Sequence, residues 1–276
     1  MVSTELTSVL LVLSVLLLGI GAWQDLKTRE VADWIWLSMI GAGILVHGLI
    51  LLIRMVLGEE VIGYFMPWVI NIIFAFILAI FLTILGLGGE ADRIAFIAIA
   101  VITPISHPLL VFSNPTYELL LSFVPKIFGV FCNAYLITLP IPLLLFLYNI
   151  LYQFRYPDFY DLSYESSKWR RLSIRFIGYP HSTQFLANDF KQKPWHYDFL
   201  EEFDEETGWQ MVFRARLDTP EADLARKQKT ISTINLKNKD SIWIQPNLPF
   251  IFILMFAYLL EIIWGNLLLF WMSFVF

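Results

Sequence analysis

The chain contains few of the residues on which soluble enzymes usually depend. Only 16% of its 276 residues are charged, and its one cysteine, Cys132, lies within an apolar run. A single cysteine excludes an intrachain disulfide and a cysteine cluster for metal, so we expect Cys132 to serve packing alone. The four histidines are scattered along the chain at His47, His107, His181 and His196, a distribution that favours no metal site.

Several catalytic signatures are absent as well. The chain has neither the H-E-x-x-H motif of metalloproteases nor the G-x-S-x-G motif of serine hydrolases. The glycine-rich stretch 86–89 lacks the Lys-Ser/Thr pair of a phosphate-binding loop. The formal net charge of -5 is mild and gives no sign of a nucleic-acid surface. We therefore predict no metal, no other cofactor and no nucleic-acid partner.

Long apolar runs dominate the sequence instead. Apolar residues make up 58% of the chain, and its mean hydropathy is +0.66. Six runs are each long enough to cross about 30 Å of hydrocarbon; they lie at 6–23, 34–57, 65–87, 94–112, 127–152 and 248–276. Backbone groups in lipid must be satisfied within their own segment, which predicts helices. The first run has no basic flank or cleavage site before it, so we expect a retained helix.

A charged segment at 153–247 interrupts this pattern. It holds fourteen of the nineteen Lys and Arg residues of the chain, balanced by fourteen acids. Alternating apolar and polar residues predict strands at 172–177, 209–216 and 241–245, and Pro220 predicts the entry to a short helix at 218–228. The expected fold class is an α-helical polytopic membrane protein of six transmembrane helices, with a small α+β domain, built on an antiparallel sheet, inserted before the last helix. We expect helices 1 to 5 in 1–152, the domain in 153–247 and helix 6 in 248–276.

The positive charges predict how the protein lies in the cell membrane. If the segment 153–247 is cytoplasmic, the loops at 25–33 and 88–93 share its side, because an even number of crossings separates them from it. Seventeen of the nineteen basic residues are then inside, with only Arg54 and Lys126 outside. On this topology both Asp25 and Asp92, each of which follows an apolar run, emerge at the cytoplasmic face.

Two carboxylates at one membrane face suit peptide hydrolysis. One must be ionised to take a proton from water, and the other must be protonated to assist the leaving amine. Two like charges a few ångströms apart cannot both ionise, so such a pair shares one proton. The residues alone do not select the pair, because Glu30, Asp33 and Glu90 lie nearby and any aspartate at a span end can simply terminate a helix.

Three motifs resemble those of a known family. The segment Asp25-Leu-Lys-Thr-Arg-Glu-Val-Ala-Asp-Trp is similar to the D-x-x-x-R-x-[IV]-P-[ND] segment of type IV prepilin peptidases, and Gly89-Glu-Ala-Asp resembles their G-x-hydrophobic-D motif. Trp243-Ile-Gln-Pro-Asn-Leu-Pro-Phe resembles the W-[VI]-x-P-x-[IL]-P-F pattern of the archaeal branch, the preflagellin and prepilin peptidases. These are membrane aspartyl proteases of the GxGD class, with six helices and a soluble insert before the last.

The resemblance implies that Asp25 and Asp92 are the catalytic pair, that Gly89 shapes the turn beneath Asp92, and that Gly88 and Arg29 support the site. The family's usual proline is replaced here by Ala32. Valine at Gly89 is then expected to leave the protein nearly inactive though inserted and folded, through a strained backbone or a displaced substrate. Alanine there should be intermediate, whereas valine at Gly41 or Gly43 should matter less. The bacterial branch also methylates its products through a cysteine-rich insert, which one cysteine cannot supply.

The implied function is cleavage of the short basic leader peptide from type IV pilin-like precursors, namely archaellins, pilins or adhesins, at the cytoplasmic membrane face. We expect the acids Glu201, Glu202, Asp204, Glu205 and Glu206 to attract that leader. Two alternatives stay open. The protein could be a non-catalytic transporter or assembly protein whose membrane carboxylates carry protons or ions, or a peptidase that acts on general membrane remnants.

Overall fold

The computed structural model describes residues 2–84, 89–103, 124–156, 167–183, 186, 190, 196–206, 208–212, 220–237 and 239–273. Most of them are helical. The helices are α1 (Val2–Thr28), α2 (Asp33–Leu57), α3 (Ile62–Ile84), α4 (Glu90–Ile102), α5 (Lys126–Thr138), α6 (Pro140–Arg155), α7 (Lys168–Ile177), α8 (Pro220–Lys237), α9 (Phe250–Ile263) and α10 (Leu267–Met272). The strands are β1 (Tyr179–Ser182), β2 (Tyr197–Phe199), β3 (Glu201–Asp204), β4 (Gly208–Met211) and β5 (Ser241–Pro246).

The chain divides into two compact units. The first comprises Met1–Ile137 and Pro249–Phe276, and the second comprises Thr138–Leu248. The domain limits at 152 and 247 were predicted from where the apolar runs end, which is a different criterion from compactness. These limits stay a prediction.

Among the residues that the structure describes, four stretches are long and apolar enough to cross a bilayer. They are Glu5–Thr28, Asp33–Leu57, Ile62–Ile84 and Lys126–Arg155. A mostly helical protein with apolar spans and a small antiparallel sheet is thereby confirmed. The count of six spans stays a prediction, since the run at 94–112 extends beyond residue 103 into positions outside the described residues.

The last apolar run is two helices rather than the one predicted. Helix α9 ends at Ile263, Gly265 takes a left-handed φ of 80°, and the Asn266 side chain accepts hydrogen bonds from the first turn of α10. The amide of Asn133 on α5 donates to the Gly265 carbonyl at 3.1 Å and accepts from the Leu267 N–H at 3.0 Å. This contact satisfies backbone groups that an apolar setting would otherwise leave unpaired, and no local pattern indicates it.

Helix α4 lies at the centre of the first unit. It packs against both α2 and α3, and Phe96, Ile99 and Ala100 on it are fully buried. Its C-terminal carbonyls are bound by side chains of α3, since Asn71 Nδ2 donates to Ala100 O and Trp68 Nε1 donates to Val101 O, each at 3.0 Å. The position of α4 is therefore set by neighbouring helices as well as by its own turns.

The described residues of the second unit include two small sheets. Strands β1 and β2 both pair antiparallel with β5, in the order β1-β5-β2, and β3 pairs with β4. The strand predicted at 241–245 is confirmed, and the predicted strand at 209–216 is confirmed over its described first residues. The helix entered at Pro220 is also confirmed, but it continues to Lys237 rather than ending at Gln228.

The strand predicted at 172–177 is wrong, because these residues lie in α7. The Ser167 side chain caps the start of that helix by accepting the Arg170 N–H. At the other end, Asn149 Nδ2 donates to Arg175 O at 2.9 Å and to Gly178 O at 2.7 Å. Six alternating residues fit a strand or a helix equally well. Here Asn149, which is distant in sequence, binds the carbonyl groups at the C-terminal end of the helix.

The two glycines of α2 at which valine was expected to matter less than at Gly89 are not equivalent. A Cβ at Gly41 would meet nothing within 4 Å, but a Cβ at Gly43 would lie 2.7 Å from the backbone oxygen of Val101. Glycine at position 43 therefore lets α2 and α4 approach closely, while the expectation that valine at Gly43 lowers activity less than valine at Gly89 stays a prediction.

We expect Gly43→Ala to lower the free energy of unfolding by about 1–3 kcal/mol, because the added methyl forces two helix backbones apart. Gly41→Ala should raise it by up to about 1 kcal/mol, since alanine favours a helix and meets open space. Unfolding of the purified protein in detergent measures both values. Equal effects of the two substitutions would contradict the close contact.

Candidate active site

Asp25 lies in the last turn of α1 and is only 6% exposed. Its Oδ2 accepts hydrogen bonds from the backbone N–H groups of Ile251, at 2.8 Å, and Phe252, at 3.4 Å. These amides belong to the first turn of α9, where Pro249 makes no side-chain cap. First-turn amides have no partner within their own helix. Asp25 therefore caps α9 from another part of the chain, and α1 packs against α9 accordingly.

Arg29 closes the C-terminal end of α1. It adopts a left-handed φ of 60°, and its N–H donates to the Asp25 carbonyl oxygen at 3.1 Å. Its Nη1 donates to the same oxygen at 3.4 Å, and the guanidinium lies within electrostatic range of the Asp25 carboxylate. Arg29 thus lies beside Asp25, while its role in supporting the site or binding substrate stays a prediction.

Asp92 lies in the first turn of α4 and is partly buried. Its Oδ2 accepts the Gly89 N–H at 2.6 Å, so the carboxylate caps its own helix beside the positive end of the helix dipole. Arg93, the cation next to it in sequence, directs its Nη1 to Thr83 Oγ1 at 2.8 Å. Asp25 and Asp92 therefore share one feature, a carboxylate held at a helix N-terminus.

Tyr135 on α5 is a neighbour that the sequence did not reveal. Its phenol lies within electrostatic range of Asp92, and its ring packs against Phe131 at a centroid distance of 4.5 Å. The sequence does not single out Tyr135, because it lies inside a long apolar run. Only the packing of α5 determines which of its side chains approach Asp92. A hydroxyl at this position adds a polar group to the surroundings of Asp92.

Gly89 does not have the strained backbone that was expected. Its φ is -77° and its ψ is 172°, an extended conformation that any residue adopts. A Cβ there would lie 3.5 Å from Asp92 Oδ2, an ordinary contact distance. The strained-backbone argument for Gly89 is therefore wrong, and displacement of the substrate by a side chain there stays a prediction. Gly88 lies outside the described residues.

The rival carboxylates differ from the predicted pair in burial. Glu30, Asp33 and Glu90 are exposed, whereas Asp25 is buried and Asp92 is partly buried. Asp25 and Asp92 both lie in the first unit, where α1 and α9 each pack against α4. Burial separates the two candidates from their neighbours, and their catalytic roles stay a prediction.

His47 belongs to the core of the first unit. Its Nδ1 lies 2.6 Å from the hydroxyl of Tyr64, and its ring stacks on Trp68 at a centroid distance of 4.9 Å. Among the residues that the structure describes, no three His, Cys, Asp or Glu side chains come together as metal ligands. The absence of a metal in the mechanism stays a prediction.

The acidic run expected to attract the substrate is partly internal. Glu201 is only 1% exposed, and its Oε2 accepts hydrogen bonds from Lys239 Nζ at 2.8 Å and from the Trp243 N–H at 3.1 Å. Glu202 lies 3.7 Å from the guanidinium of Arg226. Glu201 therefore binds groups inside the second unit, and attraction of the basic leader by the acidic run stays a prediction.

Comparison with known proteins supports the motif resemblance. Residues 170–267 match a family model described as the archaeal peptidase A24 C-terminus, type II. The chain is 29% identical over 136 residues to a preflagellin peptidase of Methanocaldococcus jannaschii, an alignment that covers 48% of this chain and 54% of that protein. It is 27% identical over 135 residues to a preflagellin peptidase of Methanococcus voltae, with the same coverage of 48% and 54%.

The chain spans about half the length of the curated relatives it matches, 54% in each case. The family match and the two relatives confirm the resemblance to archaeal preflagellin and prepilin peptidases. The matched segment 170–267 contains α9 and both amides that bind Asp25. The N-terminal motif and the family-matched C-terminal segment therefore meet at one place in the structure.

We expect Arg29→Gly to be more stable than Arg29→Ala by roughly 1 kcal/mol, because only glycine adopts the left-handed φ without a steric cost. Both substitutions remove the guanidinium beside Asp25, so the comparison isolates the backbone term. Chemical unfolding in detergent measures the difference. Alanine as stable as glycine would show that the left-handed end of α1 is not maintained.

Proposed function

We propose that this chain is a membrane aspartic endopeptidase that removes the short basic leader from preflagellin and related pilin-like precursors at the cytoplasmic membrane face. Asp25 and Asp92 are the catalytic pair in this proposal. Two relatives named preflagellin peptidase and the family match over 170–267 support the substrate class and the reaction. The four apolar spans support an enzyme embedded in the bilayer.

One observation carries the proposal, namely the buried contact between Asp25 and the first turn of α9. The contact joins residues 226 positions apart, and both ends carry motifs of the same family. A lone aspartate that merely ended α1 would face water or the headgroups. Asp25 is instead held by two amides, which fixes its position as a reacting group requires.

The reaction follows from two carboxylates that share one proton. The ionised carboxylate takes a proton from a water molecule, whose oxygen attacks the carbonyl carbon of the scissile peptide bond. The protonated carboxylate assists departure of the amine, and the peptide bond breaks to give a free leader and a mature protein. Both bonds described for the Asp25 carboxylate go to Oδ2, so the proton transfer by Asp25 is assigned to Oδ1.

The transporter alternative has an observation of its own. Glu261 on α9 is 3% exposed, and its carboxylate interacts with Lys126 and with Asn133, whose Nδ2 lies 3.4 Å from Glu261 Oε2. Ionisable groups inside membrane segments often belong to ion or proton pathways. Under this alternative the protein would carry ions and would release no leader peptide.

We expect Asp25→Asn and Asp92→Asn each to lower cleavage of a preflagellin precursor by at least about a thousandfold, because the pair acts as a unit. Asparagine still offers an oxygen to the capping amides and is as good a helix cap as aspartate, so both variants should fold. Membranes carrying each variant are incubated with the precursor, and the mature product is measured by immunoblot.

Glu30→Gln, Asp33→Asn and Glu90→Gln serve as matched controls, since each removes one exposed carboxylate near the site and should leave cleavage nearly unchanged. An active Asp25→Asn enzyme would reduce Asp25 to a helix cap and refute its catalytic role. Carboxylate-dependent ion flux in liposomes, with no product in the cleavage assay, would favour the transporter.

The extended backbone of Gly89 leads to a milder expectation for this glycine. Gly89→Ala should cleave the precursor with kcat within about tenfold of the parent, because a methyl at ordinary contact distance displaces Asp92 little. Gly89→Val should lose more, through crowding, with unchanged unfolding temperature. The two kcat values are measured at saturating precursor. A collapse of stability in Gly89→Ala would contradict the extended conformation.

A further inference from the structure

Two contacts fix how α4 and α5 lie against each other in the first unit. Asn71 Nδ2 donates to Ala100 O near the end of α4 at 3.0 Å, and Asn71 Oδ1 accepts the Ile127 N–H at the start of α5 at 2.8 Å. One turn further along each helix, the rings of Phe96 and Phe131 meet at a centroid distance of 6.0 Å. The two helices are therefore antiparallel, and a step of four residues back along α4 matches a step of four residues forward along α5.

The next step of this register brings Tyr135 to Asp92. Residues four apart share one face of a helix, and Asp92 lies four residues before Phe96. On α5, Tyr135 lies four residues after Phe131, and the two rings pack at a centroid distance of 4.5 Å. The phenol lies within electrostatic range of the Asp92 carboxylate, in agreement with the register. Tyr135 is 42% exposed, so a bound molecule can reach its side chain.

Phe96 also connects this pair to Asp25. Its ring meets that of Phe250, the first residue of α9, at a centroid distance of 6.1 Å. The next two backbone amides of α9, those of Ile251 and Phe252, hold Asp25 Oδ2. Both carboxylates of the proposed catalytic pair and the phenol are therefore placed around one aromatic side chain.

We propose that Tyr135 is a further catalytic residue, whose hydroxyl donates a hydrogen bond to the carbonyl oxygen of the scissile peptide bond. The role rests on the proposed peptidase function. When the water oxygen bonds to the carbonyl carbon, an electron pair moves onto the carbonyl oxygen, and a donor at that oxygen stabilises its negative charge. The electron pair returns when the C–N bond breaks and the amine leaves with a proton from the protonated carboxylate. A phenol suits this role because it offers an O–H donor without a charge.

Tyr135→Phe removes the hydroxyl alone, since phenylalanine keeps the ring that packs on Phe131. We expect kcat for a preflagellin precursor to fall at least about a hundredfold, while KM and the unfolding temperature in detergent stay unchanged. Tyr148→Phe is the matched control. Tyr148 lies on the same apolar stretch, Lys126–Arg155, is 45% exposed and also packs on an aromatic ring. Its removal of a hydroxyl should leave kcat at the value of the parent.

A pair of inhibitor peptides tests the hydrogen bond itself. Both carry the leader and cleavage-site sequence of the precursor, with the scissile amide replaced by a hydroxyethylene unit in one peptide and by an ethylene unit in the other. The hydroxyl of the first peptide takes the place of the reacting oxygen in the transition state. Tyr135→Phe should weaken binding of the hydroxyl peptide about three- to tenfold, as the loss of one hydrogen bond implies. The Kd of the ethylene peptide should stay the same.

Three outcomes would overturn the role of Tyr135. Equal weakening of both peptides, or a fall in unfolding temperature that accompanies the lower kcat, would show that the side chain serves packing. A parent-like kcat in Tyr135→Phe, with Asp92→Asn inactive, would refute the role of the hydroxyl and leave the peptidase proposal intact. A parent chain that cleaves no precursor and binds neither peptide would refute the proposed function, and the role of Tyr135 with it.

Discussion

Helix ends that lie away from water constrain this structure more than any other feature, because their first N–H and last C=O groups have no partner within the helix. Side chains from other helices supply the missing bonds. Asp25 serves the start of α9, Asn71 serves the end of α4 and, through Oδ1, the Ile127 N–H at the start of α5, and Asn133 serves the break between α9 and α10. In the second unit Asn149 serves the end of α7. Each bond also joins two segments that are far apart in sequence.

Because of this constraint, Asp25 in the candidate active site has two roles, as a helix cap and as a proposed catalytic group. The same Asp25 oxygen that closes α9 fixes the carboxylate proposed to react, so folding and chemistry depend on one side chain. Asparagine separates the two roles, because it keeps an acceptor for the amides and cannot act as an acid. Asp92 has a similar arrangement within its own helix, where Gly89 supplies the amide. A carboxylate at a helix N-terminus is positioned without any need for a neighbouring cation.

The second unit depends on ion pairs to hold its small sheets. Lys227 is 2% exposed and lies 2.6 Å from Asp198 and 2.9 Å from Asp223, while Glu201 joins Lys239 to the backbone of β5. Acids and bases that look like surface charges in the sequence thus form ion pairs and hydrogen bonds inside the unit.

The amino-acid sequence alone determined the membrane class, the apolar helices α1 to α3, strand β5 and the helix that begins at Pro220, because hydropathy and turn chemistry depend on neighbouring residues. Resemblance, rather than spacing, singled out Asp25 and Asp92. Tertiary structure decided that residues 172–177 are helical, that the last apolar run breaks at Gly265, that Gly43 is a close contact and that Glu201 is internal. Each of these outcomes depends on a partner distant in sequence, such as Asn133 for the break at Gly265, 132 residues away, and no local pattern records which partner packing will supply.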